Sequence, residues 1–110
     1  MTEITYYEQI KKIILKHEGS DNPISSKAIG SMLGIPKLDG NAVVRKLTLE
    51  TAERYSLPIA ANSKGYFLIT NLEELNTYIE NLDNRIEAML NREYLIKRNY
   101  EEYFKNQGNE

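Results

Sequence analysis

The 110-residue chain has no cysteine and no tryptophan, and His17 is its single histidine. Without cysteine it forms no disulfide, no thiolate metal site and no cysteine nucleophile. No apolar run approaches the roughly 20 residues that a membrane-spanning helix needs. Residues 1–7 also lack the basic and apolar regions of a signal peptide. We therefore expect a cytoplasmic protein that binds no membrane, no metal and no cofactor.

Catalytic patterns are absent as well. The sequence contains no phosphate-binding glycine loop, no nucleophile with a neighbouring base and no meaningfully spaced pair of carboxylates. His17 with Glu18 and Asp21 is the nearest approach to a metal site, but no second histidine or cysteine accompanies it. A histidine near a helix end is the simpler interpretation. We predict no catalytic residue and no enzyme activity.

The composition is that of a globular protein, with 41% apolar and 27% charged residues. Its net charge of −2 is unevenly distributed. Residues 1–69 hold nine Lys and Arg against seven Asp and Glu, whereas residues 70–110 hold five against nine. A mildly basic first part and an acidic second part suit a DNA-binding domain with a solvated extension.

Apolar spacing predicts a first helix from about Thr5 to Lys16. The residues Thr5-Tyr6-Tyr7-Glu8 have the form of a capping box at its start. Lysines lie on its outer side, and we interpret them as a solvated face and not as phosphate contacts. They are Lys11, Lys12 and Lys16. The predicted buried face consists of Tyr6, Ile10, Ile13, Ile14 and His17.

The next segment predicts the first helix of a helix-turn-helix. After the turn-rich "EGSDNP", Ile24 is expected to act as a one-residue strand and Ser25 to cap a helix that ends at Leu33. Gly30 provides a small residue where two helices cross, and Gly34 a glycine where the chain turns. The predicted buried side consists of Ala28, Ile29, Met32 and Leu33.

A second helix is predicted from about Asn41 to Tyr55, after an unusually long turn, with Asp39 or Asn41 as its cap. We expect Asn41, Arg45 and Lys46 to contact adenine edges, guanine edges and phosphates in a DNA major groove. The acidic second half of this helix would repel phosphate. The buried side is predicted to be Val43, Val44, Leu47, Thr51 and Tyr55, and the exposed side Ala42, Arg45, Lys46, Leu49 and Glu53.

Two short β-type runs follow, at 57–61 and 66–69, around the turn Asn62-Ser63-Lys64-Gly65. Gly65 is expected to supply a positive φ, and Lys64 at the tip to reach the DNA backbone. Lys37, between the two helices, completes the predicted DNA contacts. Helix, turn, helix and hairpin in this order predict a winged helix-turn-helix over residues 1–70.

Three segments carry a resemblance: "ISSKAIGSMLGI", "LPIAANSKGYFLI" and "NLEELNTYIENLDNRI". In this order they resemble small winged-helix proteins encoded by phages and mobile elements of Gram-positive bacteria. The likeness covers about residues 24–90, and the Ser-Lys-Gly-Tyr turn is its most specific part. It implies a winged-helix fold and double-stranded DNA binding, and it leaves the biological role open.

The C-terminal part predicts one long helix over 71–106, followed by a disordered tail at 107–110. Thr70-Asn71-Leu72-Glu73 has the form of a second capping box. Apolar residues then step by three and four from Leu72 to Tyr103, and only Glu93 interrupts them. We predict a coiled-coil-like helix that forms a homodimer or a higher homo-oligomer through Leu75, Ile79, Leu82, Ile86, Met89, Ile96, Tyr100 and Tyr103.

The orientation of such a pair stays open at this point. In a parallel pair Arg92 would face Lys97, which is unfavourable, whereas Tyr78 and Leu90 favour a wider seam, an antiparallel pair or a larger bundle. The alternative to self-association is that the first turns pack on the preceding domain while the remainder frays or folds back.

The complete fold prediction is a mainly α protein with a small β-hairpin wing and a long C-terminal helix. The first functional hypothesis is a dimeric transcriptional regulator of a phage or mobile element that binds double-stranded DNA in a bacterial host. The second is an interaction protein, such as a replication component or an inhibitor of a defence nuclease, that binds a host or phage protein. The acidic tail, the exposed Leu49 and the terminal aromatic residues motivate this alternative.

Overall fold

The computed structural model describes residues 3–36 and 40–108. Its elements are α1 (Glu3–Ile14), α2 (Ser26–Leu33), α3 (Gly40–Tyr55), β1 (Ile59–Asn62), β2 (Gly65–Leu68) and α4 (Leu72–Gly108). The prediction of a mainly helical chain with one small antiparallel hairpin and a long C-terminal helix is confirmed. The chain divides into two compact units at residue 75, and each is described by itself.

The core of the first unit lies between α1, α2 and α3. Each helix contributes residues three or four positions apart, which is the spacing that puts side chains on one face. Burial of each large aliphatic side chain contributes about 1.5–3 kcal/mol. The buried apolar residues include Tyr7, Ile10, Ile14, Ile24, Ile29, Leu33, Val44, Leu47, Ala60 and Phe67.

Two predicted core positions are wrong. Met32 is 63% exposed, because Ile29 and Leu33 already form the inner stripe of α2 and Met32 lies at its edge. Val43 is 36% exposed, while Val44 beside it is fully buried. Two positions that were not predicted, Tyr7 on α1 and Thr48 on α3, belong to the core instead.

The start of α1 also differs from its prediction. The helix already includes Glu3, so Thr5 lies inside it and is not its N-cap. The motif Thr5-Tyr6-Tyr7-Glu8 is therefore no capping box. Tyr7 lies in the apolar core, and its hydroxyl donates a hydrogen bond to Glu50 of α3.

Both caps of α2 are confirmed. The Ser25 hydroxyl accepts a hydrogen bond from the Ala28 N–H at 3.1 Å. At the other end Gly34 adopts φ +73°, and the N–H of Ile35 donates to the Gly30 carbonyl at 2.9 Å. Gly30 is buried, and a methyl group added to it would lie 3.4 Å from Val44 Cγ2. The close crossing of α2 and α3 predicted from Gly30 is thus present.

The hairpin is joined to the segment before α2. β1 and β2 are antiparallel, with Ala60 opposite Phe67 and Asn62 opposite Gly65. Ile24 and Tyr66 exchange two backbone hydrogen bonds of 2.8 Å, which confirms the one-residue strand. Next to this bridge Gly65 adopts φ +146°. A side chain there would overlap the Ile24 carbonyl and lie 2.8 Å from the Ser25 nitrogen.

We predict that Gly65→Ala lowers the free energy of unfolding by on the order of 3 kcal/mol, because it combines a strained φ with a backbone overlap. Gly34→Ala is the matched control. Its φ of +73° is strained too, but no atom lies within 4 Å of an added methyl group, so we expect a loss of about 1 kcal/mol. Urea unfolding of both variants measures the difference, and equal losses would contradict the proposed overlap.

The start of α4 is held by Glu74. Asn71 Oδ1 accepts from the Glu74 N–H at 2.9 Å, so the capping box begins one residue later than predicted. In return, Glu74 Oε1 accepts from the N–H and hydroxyl of Thr70 at 3.0 Å, and its Oε2 accepts from the Ser20 N–H at 2.7 Å. The backbone hydrogen bonds from Thr70 and Ser20 lower the pKa of the Glu74 carboxyl below its usual 4.5.

Because the folded-state pKa is lowered, the stabilisation by Glu74 is present above pH 4.5 and is lost as the pH falls through the folded-state value. We predict that Glu74→Gln weakens the wild-type dependence of the free energy of unfolding on pH in this acidic range. The control is Glu73→Gln, which removes the neighbouring exposed carboxylate. Urea unfolding between pH 3 and 7 checks this, and an unchanged pH slope in Glu74→Gln would contradict it.

The second unit consists of the remainder of α4. The helix includes Gln107 and Gly108, so it extends beyond the predicted end at 106. The apolar positions of the heptad are mainly exposed in the single chain, at 45% for Ile79 and 64% for Tyr100. None of the described helices is long and apolar enough to cross a membrane.

Candidate nucleic-acid interface

The inner side of α3 packs against the rest of the unit. Val44 and Thr51 are fully buried, and Leu47 is nearly so. Thr51 satisfies its hydroxyl by donating to the Leu47 carbonyl at 2.7 Å, whereas the buried Thr48 hydroxyl has no hydrogen-bond partner among the described residues. The packing of this buried side fixes the rotation of α3 about its own axis. It thereby determines which side chains of α3 face solvent.

The outer side of α3 carries the predicted DNA-contacting residues. Asn41, Arg45 and Lys46 are exposed, as are Ala42 and Leu49 on the same side. Residues 41 and 45 are one helical turn apart, so their side chains are neighbours along the face. The first half of α3 therefore offers an amide and two cationic groups to solvent.

Asn41 is held in place by α2. The Ser26 hydroxyl donates a hydrogen bond to Asn41 Oδ1 at 3.1 Å. A carbonyl oxygen has two lone pairs, so this bond leaves the amide able to make both hydrogen bonds of an adenine contact. The sequence analysis missed this contact, because Ser26 lies 15 residues from Asn41 and no local pattern connects them.

The second half of α3 is tied to α1. Glu50 accepts the hydrogen bond from Tyr7, and the Arg54 guanidinium lies 4.7 Å from the centre of the same ring. One turn further along α1, Lys11 Nζ lies 4.5 Å from the Tyr55 ring centre. These contacts engage Arg54 and Glu50 of α3, together with Lys11 of α1, within the unit. In the first half, by contrast, the basic residues Arg45 and Lys46 are exposed.

The hairpin tip is braced by Asn62. Its Oδ1 accepts from the N–H groups of Lys64 at 2.9 Å and Gly65 at 3.2 Å, and its Nδ2 donates to the Ser20 carbonyl at 3.1 Å. The Lys64 side chain is exposed. The bracing role of Asn62 was also missed, although an asparagine two residues before a turn position is a usual Asx-turn pattern.

The structure thus exposes three of the five predicted contact residues, Asn41, Arg45 and Lys46, in the first half of α3. Lys64 lies on the hairpin of the same unit. Lys37, predicted as the fifth contact, and Asp39, one of the two predicted caps, lie outside the described residues. Asn41, the other predicted cap, lies inside α3, which already begins at Gly40, so that prediction is wrong. His17 is engaged locally, with Nδ1 3.0 Å from the Asn22 carbonyl oxygen. Within residues 3–36 and 40–108, no three acidic or histidine side chains form a metal-binding group.

Comparison of the chain with models of protein families, with curated proteins and with solved structures found no match.

Proposed function

We propose that this chain is a sequence-specific, double-stranded DNA-binding protein that acts as a dimer. Its role would be that of a transcriptional regulator of a phage or mobile element, in the cytoplasm of a bacterial host. The observation that carries the proposal is the first half of α3, in which Asn41, Arg45 and Lys46 are all exposed. We interpret residues 1–70 as a winged helix-turn-helix, with α3 in the major groove and the hairpin as the wing.

The connectivity supports this interpretation. Three helices followed by a hairpin, with Ile24 bridged to β2, are the elements that such a domain requires. A reading helix contacts base edges mainly with residues near its N-terminus. On α3 this is the part with exposed basic residues, while Glu50 and Glu53 lie further along the helix. The charge distribution therefore favours docking through the first half.

The polar types on this face suit different contacts. An arginine pairs with the O6 and N7 acceptors of guanine, and an asparagine with N6 and N7 of adenine, so Arg45 and Asn41 would read bases. Lys46 and Lys64 would contact phosphates. Four contacts from one copy are few for tight binding. We therefore propose that two copies bind two half-sites, with α4 joining them.

We expect selection from a random labelled duplex library to enrich a defined sequence. On that sequence, Arg45→Ala should cost about 1–3 kcal/mol of binding free energy and relax the preference at one base pair. Lys46→Ala should weaken binding to all duplexes alike and lower the slope of log affinity against log salt by about 1. Fluorescence anisotropy at several salt concentrations measures both effects.

Lys12→Ala is the matched control, because it removes the same charge from α1. Lys12 lines a surface groove with Tyr55, at the end of α3 away from Asn41. We expect its affinity and salt slope to equal those of the wild type. The proposal would be refuted if no sequence is enriched, if affinity does not depend on salt, or if Lys12→Ala and Lys46→Ala weaken binding equally.

A second candidate function is protein binding through the same face, and Leu49 favours it. This leucine is 64% exposed and lies on the same side of α3 as the exposed Ala42 and the basic residues, and apolar surface with a polar rim marks protein contacts. The partner would be a host or phage protein, such as a replication component or a defence nuclease. Leu49→Ser would then abolish binding of a purified partner, in a chain that fails to bind any duplex.

A further inference from the structure

We infer that α4 pairs with α4 of a second copy of this chain, parallel and in register, and that Glu93 determines this orientation. The inference deepens the proposed function and rests on the dimer that it includes. It concerns the apolar face of α4, for which the sequence left the orientation open.

The apolar face is continuous over more than four heptads. Ten positions from Leu72 to Tyr103 alternate in steps of three and four, and Glu93 is the polar member. An apolar seam sustained over this length is the pattern of a coiled coil. In heptad notation the a positions are Leu72, Ile79, Ile86, Glu93 and Tyr100, and the d positions are Leu75, Leu82, Met89, Ile96 and Tyr103.

The residue types at the central positions favour two parallel strands, and Ile96 is the one β-branched residue at d. The central a positions, Ile79 and Ile86, are β-branched, and the central d positions, Leu82 and Met89, are unbranched at Cβ. This combination packs best in parallel dimers, whereas isoleucine at both positions favours trimers. Burial of these side chains, which are exposed or half-exposed in the single chain, would supply most of the binding free energy.

An ion pair between Glu93 and Lys97 places a carboxylate next to the cations that would meet in a parallel pair. Lys97 Nζ lies 2.7 Å from Glu93 Oε1 in the same helix. In a parallel pair Arg92 of one copy faces Lys97 of the other, and the repulsion between these two cations disfavours the parallel arrangement. Because Lys97 already contacts Glu93, each such pair of cations has a carboxylate beside it. The layer then holds two glutamates among four cations.

The parallel and antiparallel pairs also differ in where the Glu93 side chains of the two copies lie. In a parallel pair in register, both occupy one layer, next to Arg92 of the opposite copy. An antiparallel pair over the same ten layers would instead set each Glu93 against a Leu82 and each Arg85 beside an Arg92. It would place a carboxylate in two apolar layers, each at a desolvation cost. The parallel register confines the polar interruption to one layer, in which Arg92 and Lys97 offset the repulsion between the two carboxylates, and we infer the parallel register on this ground.

Single-cysteine variants test the orientation directly, because the chain has no cysteine of its own. In a parallel pair in register, Leu75→Cys, Ile86→Cys and Ile96→Cys should each form a disulfide with the same residue of the other copy under mild oxidation. In the antiparallel pair, residues 75 lie about 37 Å apart and residues 96 about 25 Å apart, far beyond the reach of a disulfide. Only Ile86→Cys, near the centre, would then cross-link.

Asn84→Cys is the matched control, since position 84 lies on the outer side of the heptad and should not cross-link. Non-reducing electrophoresis gives the yields. We expect high yields at 75, 86 and 96, and sedimentation of the cysteine-free chain should give twice the mass of one copy. Cross-linking at 86 alone, a trimer or a monomer would overturn the inference. No DNA is present, so these outcomes are independent of those of the duplex selection.

Glu93→Ile tests the role assigned to Glu93. It makes every layer apolar, so both orientations become acceptable, and we expect the yields at 75 and 96 to fall relative to the yield at 86. Unchanged ratios would show that Glu93 does not determine the orientation. Ile86→Asp should convert the dimer to a monomer, whereas Asn84→Asp should not. A dimer that persists in Ile86→Asp and Met89→Asp would contradict the assigned interface.

Discussion

The first unit depends on the backbone bridge between Ile24 and Tyr66. Its two hydrogen bonds of 2.8 Å attach the hairpin to the residue that precedes α2, so the hairpin and the helical core form one structure. Gly65 makes the bridge possible because any side chain there would overlap the Ile24 backbone. An isolated two-stranded hairpin is marginally stable in water. Here the pairing of Ile24 with β2 and the burial of Phe67 stabilise the hairpin.

The two halves of α3 differ in what their side chains contact. The inner side and the second half bind the helix to α1, through Tyr7, Glu50 and the stacked cation of Arg54. The first half keeps its polar side chains exposed, and Ser26 donates a hydrogen bond to Asn41. A rigid helix that presents a few polar groups loses less conformational freedom on binding than a loop would. This is the physical reason for the ligand surface that we propose at the start of α3.

Much of the fold was predictable because its determinants are local. Ser25 caps α2 through a residue three positions away, and Gly34 ends it through its own φ angle. In the core, the failures occurred where neighbouring residues compete for one helix face. Met32 and Val43 were apolar and close to the helical stripe, yet packing selected Leu33 and Val44 beside them. Helical periodicity locates the centre of the buried face only to within about one residue. The helix that packs against it determines which residue lies at the centre.

By itself the sequence determined the order of elements, the caps of α2, the hairpin turn and the long heptad of α4. All of these depend on residues a few positions apart. Only the tertiary structure revealed why position 65 is glycine, that Tyr7 donates a hydrogen bond to Glu50 and how Glu74 connects Ser20 to the start of α4. These contacts join residues more than 40 positions apart. No local pattern encodes them, because they exist only once the chain has brought distant backbone and side-chain groups within hydrogen-bonding distance.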